Sequence, residues 1–372
     1  MKAILNHLFE HKRLTKEEAR EVLTNIAQGK YNHSQIAAFL TVYIMRSISV
    51  EELEGFREAM LNLCIPVHLE EYSPIDLCGT GGDGKNTFNV STLASFVTAS
   101  SGVHVAKHGN HGVSSVSGSS TVLEYFGVKF TNNIDALRKQ IEEANICFLH
   151  APLFHPAMKN VAPIRKELGI KTFFNMLGPM VNPAFPKNQL VGVFSLELAR
   201  LYAYLYQKLD KNFRIVHSLD GYDEVSLTGR VKTYANQREQ LFTPEDLGLN
   251  TYRPEQLFGG NTVAESAQIF ENVLKNQCTQ AQKEVVCANA GMAIHTARPE
   301  TPIQDAIALA KENLESGKAL TTFEKFLALS NGKKIKYLFG GRDLLLRSGI
   351  FCVRSSATGN KNNETSVTKV IS

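Results

Sequence analysis

The sequence predicts an α/β chain: a small N-terminal helical domain, then a larger domain with a mainly parallel central sheet flanked by helices. Three observations carry this. Residues 1–64 hold helix-start signatures and apolar positions at helical spacing. From Ser73-Pro74 onward, short apolar runs alternate with helical patterns, as in strand–helix–strand units whose sheet is covered on both faces. Glycine- and serine-rich loops follow those runs, at the strand ends where such folds bind ligands. A chain of 372 residues suggests about two domains at ~150 residues each.

In the first part, Thr15-Lys16-Glu17-Glu18 and Ser49-Val50-Glu51-Glu52 are capping boxes, and Asn32-His33-Ser34-Gln35 is a third helix start. Val22 and Ile26, then Ile36, Phe39, Leu40, Tyr43 and Ile44, recur at helical spacing. This part, taken as residues 1–70, carries no chemistry of its own. Packing or dimerisation is its expected role.

The second part, residues 71–330, begins with a strand at Ile75–Cys78, a glycine loop, and a helix around Ser91–Ser101. A strand at Val103–Ala106 leads to a Gly/Ser loop and a helix around Ser120–Phe126. Ile146–Leu149 reads as a strand, Pro156–Leu168 as a helix, and Arg214–His217 as a strand before an acidic loop. Residues 331–372 read as a basic, mostly disordered extension, in which only Leu344–Leu346 and Ile350–Val353 offer apolar runs.

Hydrophobic content of 43% and charged content of 20% describe a globular chain. No run approaches the ~18 apolar residues that span a membrane, and the start is too interrupted for a secretory signal. The six cysteines show no C-x-x-C pair, so reduced thiols and a cytoplasmic setting are expected. The net charge of +4 is misleading. Eight Lys/Arg against Asp343 and Glu364 give residues 331–372 a net +6, leaving −2 for residues 1–330. That weighs against nucleic-acid binding by the body.

The first loop, GTGGDGKNTF (79–88), fits two phosphate-loop patterns and satisfies neither. A P-loop needs a hydroxyl after its lysine, where Asn86 stands. A dinucleotide site needs an acid at the end of the second strand, where Lys107-His108 stands. What remains is a cradle of backbone N–H groups beside a helix start at Asn89-Val90-Ser91-Thr92; a tight turn with an N-cap reads equally well. The second loop, Lys107–Ser120, adds a lysine, five serines and an asparagine, suited to a polyanion; the alternative is a flexible linker. The third, Leu219-Asp220-Gly221-Tyr222-Asp223-Glu224-Val225, offers adjacent carboxylates to a hard cation such as Mg2+, or is a solvated acidic turn. The scattered histidines 108, 111, 150 and 155 lack zinc spacing.

GTGGDGKNTFNVST (79–92), KHGN (107–110) with its serines, APIRKELGIKTFFNMLGPMVNP (162–183), GYDE (221–224) and CANAGMAIHTA (287–297) together resemble anthranilate phosphoribosyltransferase, over about residues 1–330. The resemblance implies 5-phosphoribosyl-1-pyrophosphate and anthranilate as substrates, Mg2+ as cofactor, a place in tryptophan biosynthesis, a homodimer, and a helical domain joined by about 165–180. Carried over, Gly79, Gly82, Asp83, Thr87, Asn89, Val90, Ser91 and Thr92 would bind the phosphoribosyl pyrophosphate. Lys107, His108, Gly109, Asn110, Ser114, Ser115 and Ser119 would complete its contacts. Ser91, Asp223 and Glu224 would hold magnesium, and Gly79, Asn110 and Arg165 would face anthranilate. Lys107, Asp223 and Glu224 take electrostatic roles, with no general base named. Two positions depart from the family pattern: His111-Gly112, where an arginine and a small residue are common, and Lys171, where arginine is common. Two other readings stay open: a pyrimidine nucleoside phosphorylase, and a non-catalytic relative that binds nucleic acid through its basic tail.

Overall fold

The computed structural model describes residues 1–112, 118–236, 238–331, 342–347 and 350–355. Four helices open the chain: α1 (Lys2–Phe9), α2 (Lys16–Ala27), α3 (His33–Met45) and α4 (Val50–Asn62). The last three begin where the sequence places them. Thr15, Asn32 and Ser49 each accept the N–H of the third helical residue, and Glu18, Gln35 and Glu52 reach back to the cap. These reciprocal bonds satisfy donors that a helix start leaves unpaired. The Glu52 carboxylate also accepts from Leu14 N and the Tyr43 hydroxyl and takes both guanidinium ends of Arg46.

The chain then runs through β1 (Ile75–Gly79), α5 (Val90–Ser100), β2 (Val105–Gly109), α6 (Ser119–Tyr125), α7 (Ile134–Ala144) and β3 (Ile146–His150). Next come α8 (Ala151–Phe154), α9 (Ala162–Leu168), α10 (Phe174–Leu177), β4 (Asn188–Gly192), α11 (Leu196–Tyr206) and β5 (Asn212–Ser218). An antiparallel pair, β6 (Val231–Ala235) and β7 (Arg238–Phe242), precedes α12 (Val263–Leu274), α13 (Gln280–Ala297), α14 (Ile303–Glu315) and α15 (Lys318–Asn331). The seven strands form one sheet ordered β3-β2-β1-β4-β5-β6-β7, its first five strands parallel. The expected single helix over Pro156–Leu168 is instead a 3₁₀ turn, Pro156–Asn160, followed by α9. Pro163 has no N–H to return to the preceding turn, so one helix cannot run through it.

Strand side chains alternate between faces. Ile75, Leu77 and Leu190 enter a core built with α5, α13 and α15. Val191, Phe213 and Ile215 face the other way, into a core shared by α1–α4, α11 and residues 161–181. There Phe173 stacks on Phe56 at 4.4 Å and meets Phe39 and Tyr43 edge-on. The N-terminal helices therefore pack on the 161–181 segment as one body of side chains.

Among the described residues, Cys64, Cys78, Cys147, Cys278 and Cys287 are unbonded, and no helix is long and apolar enough to cross a membrane. In the C-terminal extension, β8 (Arg342–Arg347) and β9 (Ile350–Ser355) pair antiparallel. They coincide with the two apolar runs of that segment; apart from Asn331, which ends α15, its remaining residues lie outside those described.

Candidate functional site

β1 is the turning point of the sheet: β2 and β3 lie on one side, β4 and β5 on the other. Such a switch point opens a crevice at the carboxyl ends of the two middle strands. Gly79 and Gly192 close β1 and β4 and face each other in register. A Cβ on Gly192 would stand 1.5 Å from the Asp223 carbonyl oxygen, and one on Gly79 2.5 Å from Asp223 Oδ2. Glycine at both positions lets the loop after β5 fold onto the strand ends. Asp223 Oδ2 accepts the Gly81 N–H at 2.7 Å, joining the first and third loops. Asn289 of α13 holds the next stretch, donating to Val225 O at 2.9 Å and accepting its N–H at 3.1 Å.

The crevice is a cavity of about 640 Å³, within the usual range for small-molecule sites. One wall is acidic: Asp83, Asp223 and Glu224 line it. Burial, with Asp83 beside it, pushes the Asp223 carboxyl up to about 7. Burial, then Asp223 and Asp83, pushes Glu224 well above the carboxylate range. Glu224 Oε1 is enclosed and has no hydrogen-bond partner of ordinary geometry among the described residues, and the same holds for Thr87 Oγ1 and Asn89 Nδ2 of the first loop and the α5 cap; the Thr87 side chain still lowers the Glu224 pKa in small part. No group of three or more His, Cys, Asp or Glu is gathered to cage a metal among those residues. Two adjacent carboxylates instead suit Mg2+, which commonly takes one or two carboxylates and completes its shell with water and substrate phosphates.

The remaining lining carries one buried and one partly buried cation. Lys107 is 1% exposed; its Nζ donates to Leu77 O at 2.6 Å and lies 3.4 Å from Ser91 Oγ. Burial lowers its pKa. Arg165, on α9, has its guanidinium 3.3 Å from Asn175 Oδ1 and 5.4 Å from the Phe174 ring centroid. Burial lowers its pKa as well. A partly buried guanidinium whose side-chain partners among the described residues are an amide and a ring is open to a carboxylate.

Residues 71–320 match the family described as "Glycosyl transferase family, a/b domain", and residues 2–64 match "Glycosyl transferase family, helical bundle domain". A protein of Christiangramia forsetii named anthranilate phosphoribosyltransferase is 63% identical over 330 residues, 89% of this chain and 99% of that one. The chain belongs to the anthranilate phosphoribosyltransferase family. The Thermus thermophilus member is similar in structure, with a TM-score of 0.82, 35% identity, and coverage of 87% of this chain and 98% of its own. The Saccharomyces cerevisiae member, solved in complex with PRPP and Mg, gives a TM-score of 0.81, 27% identity, and coverage of 88% and 97%. It has also been solved with 4-fluoroanthranilate.

In this member of the anthranilate phosphoribosyltransferase family, most residues singled out in the sequence meet in the one cavity. Gly79, Gly82, Asp83 and Thr87 line it from the first loop, and Asn89, Val90 and Ser91 from the first turn of α5. Lys107, His108, Gly109, Asn110 and Ser119 line it from β2 and the second loop. Thr92 does not reach it; fully buried, it offers its N–H to Asn89 Oδ1 at 3.3 Å. Ser114 and Ser115 lie outside the described residues. Lys85, the lysine of the apparent P-loop, does not line the cavity; it lies over the Tyr222 ring, 4.8 Å from its centroid.

Sequence reasoning passed over Gly192 and Asn289. Gly192 ends a strand, NQLVG, with no strong strand signal, and Asn289 stands out only within the family segment. The two departures fall at the rim. His111 Nδ1 is 3.6 Å from Glu124 Oε2, a shorter reach than an arginine would have. Lys171 Nζ donates to the Gly82 carbonyl, fastening the first loop to the segment before α10. Among the inner histidines, His108 is pushed down to about 3 by burial and then by its neighbour His155, beside which a second proton is disfavoured; burial brings His155 to about 4. Both are neutral.

Proposed function

We propose that the chain transfers the 5-phosphoribosyl group of 5-phosphoribosyl-1-pyrophosphate to the amine of anthranilate, releasing pyrophosphate, as a step of tryptophan biosynthesis. The observation that carries the reading is the charge arrangement of the cleft. Carboxylates whose pKa burial raises, Asp223 and Glu224, and cations whose pKa burial lowers, Lys107 and Arg165, line one cavity, where a magnesium-bound polyanion and an aromatic carboxylate would supply the missing counter-charge.

Asp223 and Glu224 would hold Mg2+, which when bound offsets the charge developing on pyrophosphate. The first turn of α5, the loop N–H groups, Asn89 and Lys107 take the phosphate oxygens, with charge-assisted bonds that strengthen as the C1–O bond lengthens. Ser91 sits at the same edge, beside Lys107. Asp83 stands where ribose hydroxyls or metal-bound oxygen can meet it. Arg165 pairs with the anthranilate carboxylate in a forked geometry. With Asn110 and Gly79 it aims the amine at C1, a proximity contribution. The amine nitrogen forms its bond to C1 as the C1–O bond to pyrophosphate breaks. The product ammonium is an acidic arylammonium, so its proton leaves without a strong base.

The α1–α4 helices and the 161–181 segment, as one body over the cleft, support closure about the connections that flank that segment. Exposed Phe9, Ile44 and Met45 on α1 and α3 support pairing of two copies through that face. The test of the function is the fluorescence of anthranilate followed with purified protein, phosphoribosyl pyrophosphate and magnesium. The expected result is loss of signal only in the complete mixture. A steady signal there, while the protein still binds phosphoribosyl pyrophosphate, overturns the acceptor.

A further inference from the structure

A second cavity, of about 380 Å³, lies at the opposite end of the sheet, at the amino ends of β1, β4 and β5. Its walls are Arg57 and Leu61 from α4, the turn Ser73-Pro74 before β1, residues between Pro179 and Lys187, Gln189, and Leu209-Asp210-Lys211 before β5. Its size falls within the range of small-molecule sites.

The inner charge of this cavity is positive. Arg57 Nε is enclosed and has no hydrogen-bond partner among the described residues. Lys211 Nζ is held at 2.6 Å by the neutral Gln189 Oε1, over the Tyr206 ring at 4.9 Å. The acids that line the cavity sit at its rim and are occupied there. Glu70 is held by His68 at 3.1 Å, and Asp210, 99% exposed, stands 3.8 Å from Lys187. The interior acid whose field reaches Lys211 is Asp76. That one carboxylate also faces Lys107 on the catalytic side, so it does not neutralise both ends. Burial, and then the charge of Arg57, push the Lys211 ammonium down to about 7. Arg57 feels Glu58 and Glu54, but those acids are already paired with Lys16, Arg20 and Lys208; cations enclosed with so little free counter-charge are costly, and an anion relieves the cost.

We propose that this cavity is a second ligand site, for a small anion whose carboxylate or phosphate group is clamped between Arg57 and Lys211. After Gln189, the ammonium keeps two unused donors, and the Arg57 Nε–H is a third. Pro179 lines both cavities, and its carbonyl accepts from Gln189 Nε2. An occupant that draws Lys211 away from Gln189 therefore acts on a residue of the catalytic wall.

The test is crystals of the full chain soaked in graded selenate, without substrates, and read by anomalous scattering. The expected result is a peak between Arg57 and Lys211, half-occupied at about 1 mM or below, and lost in Lys211→Gln crystals. Competing soaks tell the source apart: inorganic phosphate displaces the peak if the site takes phosphoryl groups, acetate if it takes carboxylates. The Lys211→Gln protein is expected to turn over anthranilate as the parent does, which confirms that it folds. No peak, a peak that fills only at far higher selenate, or one that survives in both Lys211→Gln and Arg57→Gln crystals overturns the proposal. Selenate at the phosphate loops of the catalytic cleft is a separate peak and bears on the catalytic reading alone.

Discussion

Two glutamates with enclosed carboxylates divide the molecule. Glu52, in the helical part, is 0% exposed and surrounded by donors: Leu14 N, Ser49 N, the Tyr43 hydroxyl and the Arg46 guanidinium. Burial alone would push its pKa up, but Arg46 and the N–H groups of Ser49 and Leu14 hold it below the usual value. Glu224, in the cleft, is enclosed beside Asp223 and Asp83, and its Oε1 has no partner among the described residues. Burial there meets only the Thr87 side chain as compensation, and outweighs it. A buried carboxylate that has its donors holds a fold together. One that lacks them keeps a place for something the chain does not itself supply.

The comparison breaks most sharply at the acidic pair. Asp223→Asn with Glu224→Gln is expected to lower kcat by about 10³-fold, since metal-borne charge stabilisation is worth several kcal/mol. The same double variant, free of magnesium at pH 8, is expected to melt at a higher temperature than the parent. A drop in its melting temperature would sink the view that burial outweighs what compensates these acids.

Glu52→Ala is the opposite case. Arg46 would be left partly buried and unpaired, at a cost of about 3 kcal/mol or more. Urea unfolding reads that loss. Turnover per folded molecule should not change, because Glu52 is absent from the cleft lining.

Arg165→Lys comes next. A compact ammonium cannot reproduce forked recognition, so KM for anthranilate should rise about 10- to 100-fold, roughly 1.4–2.7 kcal/mol. KM for phosphoribosyl pyrophosphate should stay within about twofold. Equal rises in both constants would move Arg165 away from the acceptor.

The smallest effect is the pH dependence of stability without magnesium. Asp223 ionises near 3.8 when unfolded and at about 7 when folded. Between those values the folded state holds the extra proton, so stability falls as pH rises and levels off above about 7. Melting temperatures at pH 5.5 and pH 8 should differ in that direction, and the difference should shrink in the double variant. An unchanged difference there would assign the slope to other groups.

Much of the molecule is written locally in the chain. The three helix starts at Thr15, Asn32 and Ser49 lie where their capping signatures stand, because a cap is settled within one turn of chain. The strands read at Ile75–Cys78, Ile146–Leu149 and Arg214–His217 lie within β1, β3 and β5, while the one read at Val103–Ala106 begins two residues later and runs on through Lys107 to Gly109; the loops after β1, β2 and β5 declared their chemistry by glycine, serine and adjacent acids. β4, β6 and β7 were not legible. β4 opens with Asn188-Gln189, whose buried amides are satisfied by distant residues such as Ser73, Pro179 and Tyr206. The helix from Pro156 was misread because Pro163 interrupts a pattern that is otherwise helical.

Which charges meet and which stay alone is settled only once the chain has folded. The lysine of a phosphate-loop pattern lies over Tyr222, while Lys107, Asp223 and Glu224, far apart in sequence, line one cavity. Gly192 and Asn289 matter because a loop from another strand rests against them. Compensation of a buried charge depends on every neighbour brought by the fold, including the absent ones, and no local stretch of sequence records an absence.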